Sequence, residues 1–178
     1  MGPNLYPQTQ ALTEMNKPLP ARLSPDSPLF PDVLTLIQDA FAYMAPRIDP
    51  PSSMHRLTVE SIKEHCETGE VWVIGDRPDA CIFLRPKSDC LYMGRLAVRE
   101  DMRGKGLAKS LIQLAEQRAV ERGFAVLELE TRIELTENHR TFERMGFVKT
   151  GDGTHEGFDR PTYIIMRKPI AKPMPSAD

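Results

Sequence analysis

The middle of the sequence predicts an α/β domain with a mixed, α+β type of sheet. Short strand-like apolar runs alternate there with stretches of helical periodicity. The turn-forming segment GDRPD at 75–79 separates two such runs, which predicts a hairpin. The length of 178 residues, with 40% hydrophobic and 27% charged residues, fits a single globular domain.

Proline distinguishes the N-terminal part of the chain from the rest. Ten of the 16 prolines lie at or before Pro51. Residues 1–18 are polar and show little periodicity, which predicts a flexible Pro-rich arm. A first strand is placed around 19–23, and apolar residues at helical spacing predict a helix over 29–44. A loop must follow at Pro46, Pro50 and Pro51.

Periodicity and glycines define the remaining elements. Thr58 is a predicted N-cap and Gly69 a stop for a second helix over 58–68, in which His65 is expected on an exposed face. A long amphipathic helix over 106–122 ends at Gly123. A short helix runs from Thr136 or Asn138 to Met145. Strands are predicted at 71–74, 80–84, 91–98, 125–131, 147–150 and 162–167. The domain is expected to span 19–170, with a C-terminal tail at 171–178.

Charge and cysteine content exclude several classes of protein. The net charge of −2 and the pI of about 6.1 argue against a dedicated nucleic-acid binder. No run approaches 18 apolar residues, and the first residues lack the pattern of a secretory signal, so neither a membrane span nor export is expected. The cysteines are odd in number and lack CxxC spacing, which predicts buried, reduced thiols in a cytoplasmic protein without a metal site: Cys66, Cys81 and Cys90.

The segment with the clearest chemistry lies between the strand ending at Val98 and the long helix. Its sequence is RGKGLA, from Arg103 to Ala108. Glycines let main-chain N–H groups approach a ligand closely, and a helix start has unpaired N–H groups at its positive end. Lys105 and Lys109 add positive charge. The segment therefore predicts an anion site suited to a pyrophosphate.

Two common phosphate motifs do not fit this loop. A P-loop needs Lys directly after its last glycine, but Leu107 follows Gly106. A dinucleotide fingerprint needs a third glycine where Lys109 stands. Instead, Arg103, Gly106 and Ala108 match the [RQ]-x-x-G-x-[GA] signature. With the preceding strand RLAV and the later Gly146-Phe147, the chain resembles the GNAT superfamily of acyl-CoA-dependent N-acetyltransferases over about 58–168, and an extension to the first helix is expected.

The resemblance implies a fold, a cosubstrate and a reaction. The implied fold is a mostly antiparallel sheet of about six to seven strands that splays at the cofactor slot, with about four helices. The implied reaction is acetyl transfer from acetyl-CoA to a primary amine of a small molecule, an amino-acid derivative or a protein. By position, the cofactor would contact Leu96, Ala97, Val98, Arg103, Gly104, Lys105, Gly106, Leu107, Ala108, Lys109, Asn138 and Phe142.

One residue departs from the family pattern. Many members have a tyrosine as general acid where this chain has Phe142. A thiol has a pKa of about 8.5, so the thiolate is a tolerable leaving group without an acid. Activity is therefore still expected. The alternative is a non-catalytic acyl-CoA-binding sensor. Asn138 is expected either to contact the pantetheine or to cap its helix.

Candidates for proton transfer come from strand faces and from loops near the expected acceptor site. Period two places Tyr92 on one strand face with Gly94, Leu96 and Val98. Glu130 shares a face with Glu128, and either carboxylate is expected to relay a proton or to form a salt bridge. The catalytic candidates are Tyr92, Glu130 and His155. The acceptor-site candidates are Glu134, Asp159, Arg160 and Tyr163, with Arg160 expected to bind an acidic group. Monomer and homodimer remain open.

Overall fold

A computed structural model describes residues 18–171. The helices of this part are α1 (Phe30–Phe41), α2 (Val59–Thr68), α3 (Leu107–Glu121) and α4 (Thr136–Arg144). Its strands are β1 (Ala21–Arg22), β2 (Glu70–Ile74), β3 (Ala80–Pro86), β4 (Leu91–Val98), β5 (Val126–Arg132), β6 (Val148–Gly153) and β7 (Tyr163–Pro169). Single 3₁₀ turns occur at Ala42–Met44, Ser53–Arg56 and Glu100–Met102.

The strands form one seven-stranded sheet in the order β1-β2-β3-β4-β5-β7-β6. Every neighbouring pair is antiparallel except β4 and β5, which run parallel. The predicted mixed sheet, mostly antiparallel and flanked by about four helices, is confirmed.

Local sequence explains where the first two helices begin. α1 has Pro31 in its first turn, where a missing N–H is harmless, and it buries the apolar stripe Phe30, Val33, Leu36, Ile37 and Ala40. α2 starts with a reciprocal capping box, in which the Thr58 and Ser61 side chains each accept from the other's main-chain N–H. The predicted helix over 29–44 stops earlier, since the chain tightens to a 3₁₀ turn after Phe41.

The sheet buries a separate apolar core on each face. Side chains of α3 pack against one face, where Leu111 and Ala115 meet Leu84, Leu91 and Leu127. Helices α1 and α2 cover the other face, where their apolar stripes meet Val71, Val73, Cys81 and Phe83. The two-sided burial fits a central sheet between helical layers.

Two glutamates of the sheet are buried, and each is held by a pair of basic side chains. Glu70 on β2 is fully buried and accepts hydrogen bonds from Arg118 of α3 (2.7 Å) and from Arg122, the residue that follows α3 (2.8 Å). Glu128 on β5 is buried and binds Lys87 (2.5 Å) and Arg167 (2.8 Å). Of the two roles expected for Glu128, the structure supports the salt bridge.

All three cysteines are buried and unpaired. Burial raises the pKa of the Cys81 thiol to about 12 and that of the Cys90 thiol to about 11. The predicted buried, reduced thiols agree with this arrangement.

The predicted domain limits stay predictions. The arm at 1–18 and the tail at 171–178 lie almost entirely outside the described residues. Within 18–171, no helix has the length and apolar character required to cross a membrane.

Candidate active site

A slot opens in the sheet where β4 and β5 separate. The two strands are paired only at Leu91↔Leu127 and Tyr92↔Glu128, and they diverge beyond these pairs. A cavity of about 400 Å³ fills the gap. Its walls come from the end of α1, the α1–α2 connection, β3, β4, β5 and α4. The splayed strands predicted from the resemblance therefore leave a real cavity.

A bulge in β4 lies beside this slot. Cys81 pairs with Ala97 and Phe83 with Gly94, so Arg95 and Leu96 together oppose the single residue between Cys81 and Phe83. Arg95 adopts a positive φ of 48°, a conformation that is uncommon for a non-glycine residue. This is the geometry of a β-bulge, which bends a strand and redirects its side chains.

Because of the bulge, the side chains of β4 face different sides of the sheet from those predicted. Tyr92 and Gly94 face the slot on the α1–α2 side, and a Cβ on Gly94 would lie 3.2 Å from the Tyr92 ring. Leu96 and Val98 pack instead against the α3-side core, while Ala97 joins the opposite core. The extra residue inverts the alternation, so the prediction that Leu96 and Val98 share the Tyr92 face is wrong.

The signature loop forms the start of α3. Gly104 and Gly106 have φ of 77° and 78°, and nothing lies within 4 Å of a Cβ added at either position. The backbone conformation, rather than a lack of space, therefore favours glycine here. The first helical hydrogen bond runs from the Ser110 N–H to the Gly106 carbonyl at 3.0 Å. The N–H groups of residues 107–109 consequently have no acceptor within the helix.

Positive charge surrounds this helix start. Arg103, Lys105 and Lys109 are exposed, and across residues 18–171 none of them pairs with a carboxylate. α3 also has no acidic residue in its first turn. Free N–H groups and free cations at the positive end of a helix suit a pyrophosphate.

Helix α4 supplies the wall of the slot opposite β4. Asn138 and Phe142 line the cavity, one turn apart. α4 follows Leu135 without a side-chain cap, and the Asn138 N–H donates to the Leu135 carbonyl at 3.0 Å. Asn138 is therefore not the N-cap, and its side chain is free to face the slot. Phe142 packs edge-to-face on Phe147, with 5.8 Å between ring centroids.

The three predicted catalytic candidates meet at one end of the slot. Tyr92, Glu130 and His155 line a smaller cavity of about 180 Å³. Its other walls are Ser52, Ser53, Thr131, Arg132 and Tyr163. Glu130 also lines the main cavity, so the two spaces share a boundary. Residues distant in sequence thus converge on one polar pocket.

The surroundings raise the pKa of two of these groups and lower the pKa of the third. Glu130 is exposed towards the pocket, and partial desolvation raises the pKa of its carboxyl, which makes no hydrogen bond with another described residue. Burial, together with the charges of Glu130 and Glu128, raises the pKa of Tyr92, so its hydroxyl remains a donor. Desolvation and the charge of Arg132 lower the pKa of His155, which leaves its imidazole neutral at pH 7.

Other contacts orient Tyr92 and His155. Lys87 and Arg85 lie over the Tyr92 ring, at 4.6 and 5.4 Å from its centroid. His155 Nδ1 hydrogen bonds to the Thr162 hydroxyl, and the ring packs edge-to-face on Tyr163. Nδ1 is thereby occupied, and Nε2 is the ring nitrogen left for exchange with a ligand.

The predicted acceptor residues are only partly brought together. Tyr163 lines the smaller cavity. Glu134 accepts from the Asp49 N–H at 3.4 Å through Oε1. Arg160 pairs with Asp49 at 3.3 Å, and Asp159 is exposed and lines neither cavity. The loop at 154–161 therefore contributes through His155 rather than through Asp159.

Sequence reasoning missed several residues of the slot. Arg85, Arg95, Arg132 and His65 line the main cavity. The prediction of an exposed His65 is wrong, because its Nε2 bonds to the Leu84 carbonyl at 3.1 Å and its ring packs on Phe83. Period two on β5 from Glu128 and Glu130 was the available signal for Arg132.

Comparison with known proteins identifies the family. The family model described as the acetyltransferase (GNAT) family matches residues 31–147, more than half of the chain. The chain belongs to the GNAT family of acetyltransferases. The match also includes nearly all of α1, the helix to which the resemblance was expected to extend. No curated protein sequence matches this GNAT chain.

Solved structures share the GNAT fold at low sequence identity. An acetyltransferase from Streptococcus agalactiae 2603 is 16% identical, with a TM-score of 0.68 and coverage of 86% of this chain and 99% of that one. The ribosomal-protein-S18-alanine N-acetyltransferase from Escherichia coli is 18% identical, with a TM-score of 0.62 and coverage of 90% and 99%. A GNAT family acetyltransferase from Elizabethkingia anophelis with acetyl-CoA bound is 16% identical, with a TM-score of 0.61 and coverage of 86% and 99%.

Proposed function

We propose that this protein is an N-acetyltransferase that transfers the acetyl group of acetyl-CoA to a primary amine. The observation that carries the proposal is the slot between β4 and β5, which adjoins the pocket of Tyr92, Glu130 and His155 and lies beside the strand that leads into the α3 loop. A phosphate-binding loop at one end and a proton acceptor at the other are the two parts that direct transfer needs.

The coenzyme would lie along this path. Its pyrophosphate would bind the free N–H groups of residues 107–109, with Arg103 and Lys109 beside it. Its pantetheine amides would hydrogen bond to the main chain of 96–98, in the manner of an added strand. Asn138 and Phe142 would close the other side of the slot. Acetyl-CoA is thus a cosubstrate, and the proposal includes no metal.

The reaction follows from the groups at the far end. The amine nitrogen attacks the acetyl carbonyl carbon, the carbon–sulfur bond breaks, and the coenzyme leaves as a thiolate. Glu130 is the proposed general base, because its free carboxylate lies in the pocket and its pKa is raised by desolvation. His155 is the alternative base. The proton taken from the nitrogen is available to neutralise the thiolate.

Tyr92 is the proposed donor in the slot. Phe142 has no hydroxyl to offer, and Tyr92 is the tyrosine that lines the main cavity in the described part of the chain. Its raised pKa keeps the proton on oxygen, so it can donate to the carbonyl oxygen or to the leaving sulfur.

A sensor that binds acyl-CoA without turnover is the second candidate. It is favoured by one observation, the loss of the family's tyrosine hydroxyl at Phe142. Release of free coenzyme thiol in the presence of an amine separates the two functions, because a sensor binds acetyl-CoA and releases none.

The first test is calorimetric titration of acetyl-CoA into the wild type and Gly106→Trp. Gly123→Trp is a matched control: Gly123 has φ of 79°, open surroundings like those of Gly106, and lies at the opposite end of α3. We expect micromolar binding by the wild type and by Gly123→Trp, and loss of binding in Gly106→Trp, where the indole covers the helix N–H groups. Equal loss of acetyl-CoA binding in both variants would show that the loop is not the cofactor site. A folded wild type that binds no acetyl-CoA would show the same.

A further inference from the structure

The walls of the main cavity hold an excess of positive charge. Three arginines line it, Arg85, Arg95 and Arg132, against one carboxylate, Glu130. Within residues 18–171, none of these arginines forms an ion pair, whereas Arg160, Arg167 and Arg118 elsewhere all do. The charges of Glu134 and Asp49 act on Arg132, but neither carboxylate forms an ion pair with it. A guanidinium group that is partly desolvated without an ion pair is costly unless a ligand neutralises it.

Arg132 is the one of the three with a buried N–H that has no acceptor among the described residues. Its Nη2 donates to the Pro51 carbonyl at 3.0 Å, while its Nη1 is buried and has no hydrogen-bond partner among the described residues. Glu134 Oε2 is likewise buried without a partner, although its charge acts on Arg132. A buried guanidinium N–H without an acceptor is rare in a native structure and indicates a missing anionic or carbonyl partner.

Arg95 presents a second cation from the opposite strand. The β4 bulge places it beside the α1–α2 connection, where its Nη2 donates to the Ser53 hydroxyl at 3.2 Å. Ser53 also borders the smaller cavity that contains Arg132, Glu130 and His155. Arg95 and Arg132 both line the main cavity, the first from β4 and the second from β5.

These charges do not fit the donor or a simple amine. The acetyl thioester and the pantetheine amides are uncharged, and the phosphates would lie at the α3 loop. An amine arrives as an ammonium ion, which three arginines repel. An acceptor for this pocket must therefore carry negative charge of its own.

We infer that the acceptor is a primary amine that also carries a carboxylate, with the carboxylate on Arg132 and Arg95 and the amine at Glu130. This inference rests on the proposed acetyl transfer. Glu130 and Arg132 stand two residues apart on one face of β5, about 7 Å along the strand, so their side chains can hold the two ends of one small molecule. The smaller cavity of about 180 Å³, which Glu130 and Arg132 line, suits a compound of amino-acid size, and Arg95 lines the main cavity that adjoins it.

The kinetic test compares each amino acid that has a primary α-amine and no thiol with its own α-carboxamide, in thiol-release assays at saturating acetyl-CoA. We expect kcat/KM to favour the acid over the amide by at least about tenfold, as one charge-assisted hydrogen bond provides. Arg132→Ala should lower kcat/KM for the acid by about that factor and change kcat/KM for the amide by less than about threefold. Arg132→Lys should recover part of it, and Arg140→Ala, an exposed arginine of α4 outside both cavities, should change neither.

Several results would overturn the inference. Faster turnover of the amides, or of putrescine, would show that the arginines do not select an anion. Equal losses for acid and amide in Arg132→Ala would show that Arg132 only supports the loop at Pro51. A preference for phosphoethanolamine over every amino acid would assign the anion as a phosphate instead.

A binding arm separates failure of this inference from failure of the proposed function. The same amino acids are titrated into the protein–coenzyme A complex, whose formation also shows that each variant is folded. Binding of an amino acid that Arg132→Ala abolishes would support the acceptor class even if no turnover occurs. Absence of binding by every amino acid, alongside turnover of an uncharged amine, would reject the inference and leave acetyl transfer standing.

Discussion

Glu130 and Glu128 show how neighbouring positions on one strand face acquire different roles. The Glu128 carboxylate accepts hydrogen bonds from Lys87 and Arg167. These bonds outweigh the effect of burial and hold the pKa of Glu128 below its usual range. Glu130 faces the pocket without such partners, and its pKa is raised. A carboxylate that is free, partly desolvated and beside a cavity is suited to take up a proton.

Replacement of Glu130 by Gln tests its role as base. A base works only when deprotonated, so kcat/KM of the wild type should fall as pH drops through the raised pKa of Glu130, above the usual range for glutamate. Glu130→Gln should lower kcat by about 100-fold, a common contribution of general base catalysis, and remove that acid limb. Steady-state rates from pH 4 to 9 measure both.

His155→Gln is the matched comparison. If the limb disappears in this variant and persists in Glu130→Gln, the base is His155. Its lowered pKa would then place the limb below that of ordinary histidine.

At the same scale, the sequence predicted some of the pocket and missed the rest for a physical reason. Tyr92 lies on β4 before the bulge, and Glu130 lies on β5, which has no bulge. The alternation of side chains along a strand therefore predicted the faces of both residues correctly. Arg95 occupies the bulge itself, and a positive φ at an arginine has no local signal of the kind that glycine provides. His65 was misplaced because only the partner strand β3 decides which part of the helix surface is covered.

Among the elements, α3 is the one that joins the binding loop to the sheet. Its start carries the unpaired N–H groups, and its end is tied to β2 by the Glu70 cluster. Glycine on either side made its limits readable from sequence, and the capping box did the same for α2. The shorter α1 and the 3₁₀ turns were not predicted, since apolar spacing alone does not separate the two kinds of helix.

Replacement of Glu70 by Ala should weaken the attachment of α3. Burial pushes the pKa of Glu70 upwards, but hydrogen bonds from Arg118, Trp72 and Arg122 outweigh it and the net pKa is lowered. Loss of this carboxylate should reduce the free energy of unfolding by about 3 kcal/mol. Urea denaturation measures the change. Glu121→Ala, which removes a surface partner of Arg118 and of Gln117, should cost less than about 1 kcal/mol.

The pH dependence of this effect has a definite sign. A lowered pKa in the folded state means that the contribution is complete above the unfolded pKa of glutamate and disappears as pH falls through the folded value. The difference between wild type and Glu70→Ala should therefore shrink in acid. A difference that stays constant down to pH 3 would contradict an ionised Glu70.

Across the whole molecule, the sheet consists of two parts with a narrow junction. β1–β4 and β5–β7 are joined by the two registered pairs at the start of β4 and β5, and by the Lys87–Glu128–Arg167 cluster. Family resemblance predicted that the sheet would splay. The extent of the gap depends on the bulge and on which side chains fill it, and neither follows from periodicity.

Acetyl-CoA should stabilise the molecule by bridging these two parts. At a concentration of about 100 times Kd, binding adds about 2.7 kcal/mol, which raises Tm by about 5–10 °C in a domain of this size. Hydrogen exchange should slow in 93–98 of β4 and in 129–132 of β5 together. Scanning calorimetry and exchange mass spectrometry provide the data. Protection confined to the α3 loop would place the ligand outside the slot, and Gly106→Trp should show no protection.

The burial of all three cysteines has a practical consequence for enzymology. A thiolate is the form that reacts with disulfide reagents, and burial with a raised pKa keeps these sulfurs protonated and covered. The folded protein is therefore nearly invisible to a colorimetric thiol reagent. Colour that develops during turnover reports coenzyme release alone, and a slow background that grows on heating reports unfolding.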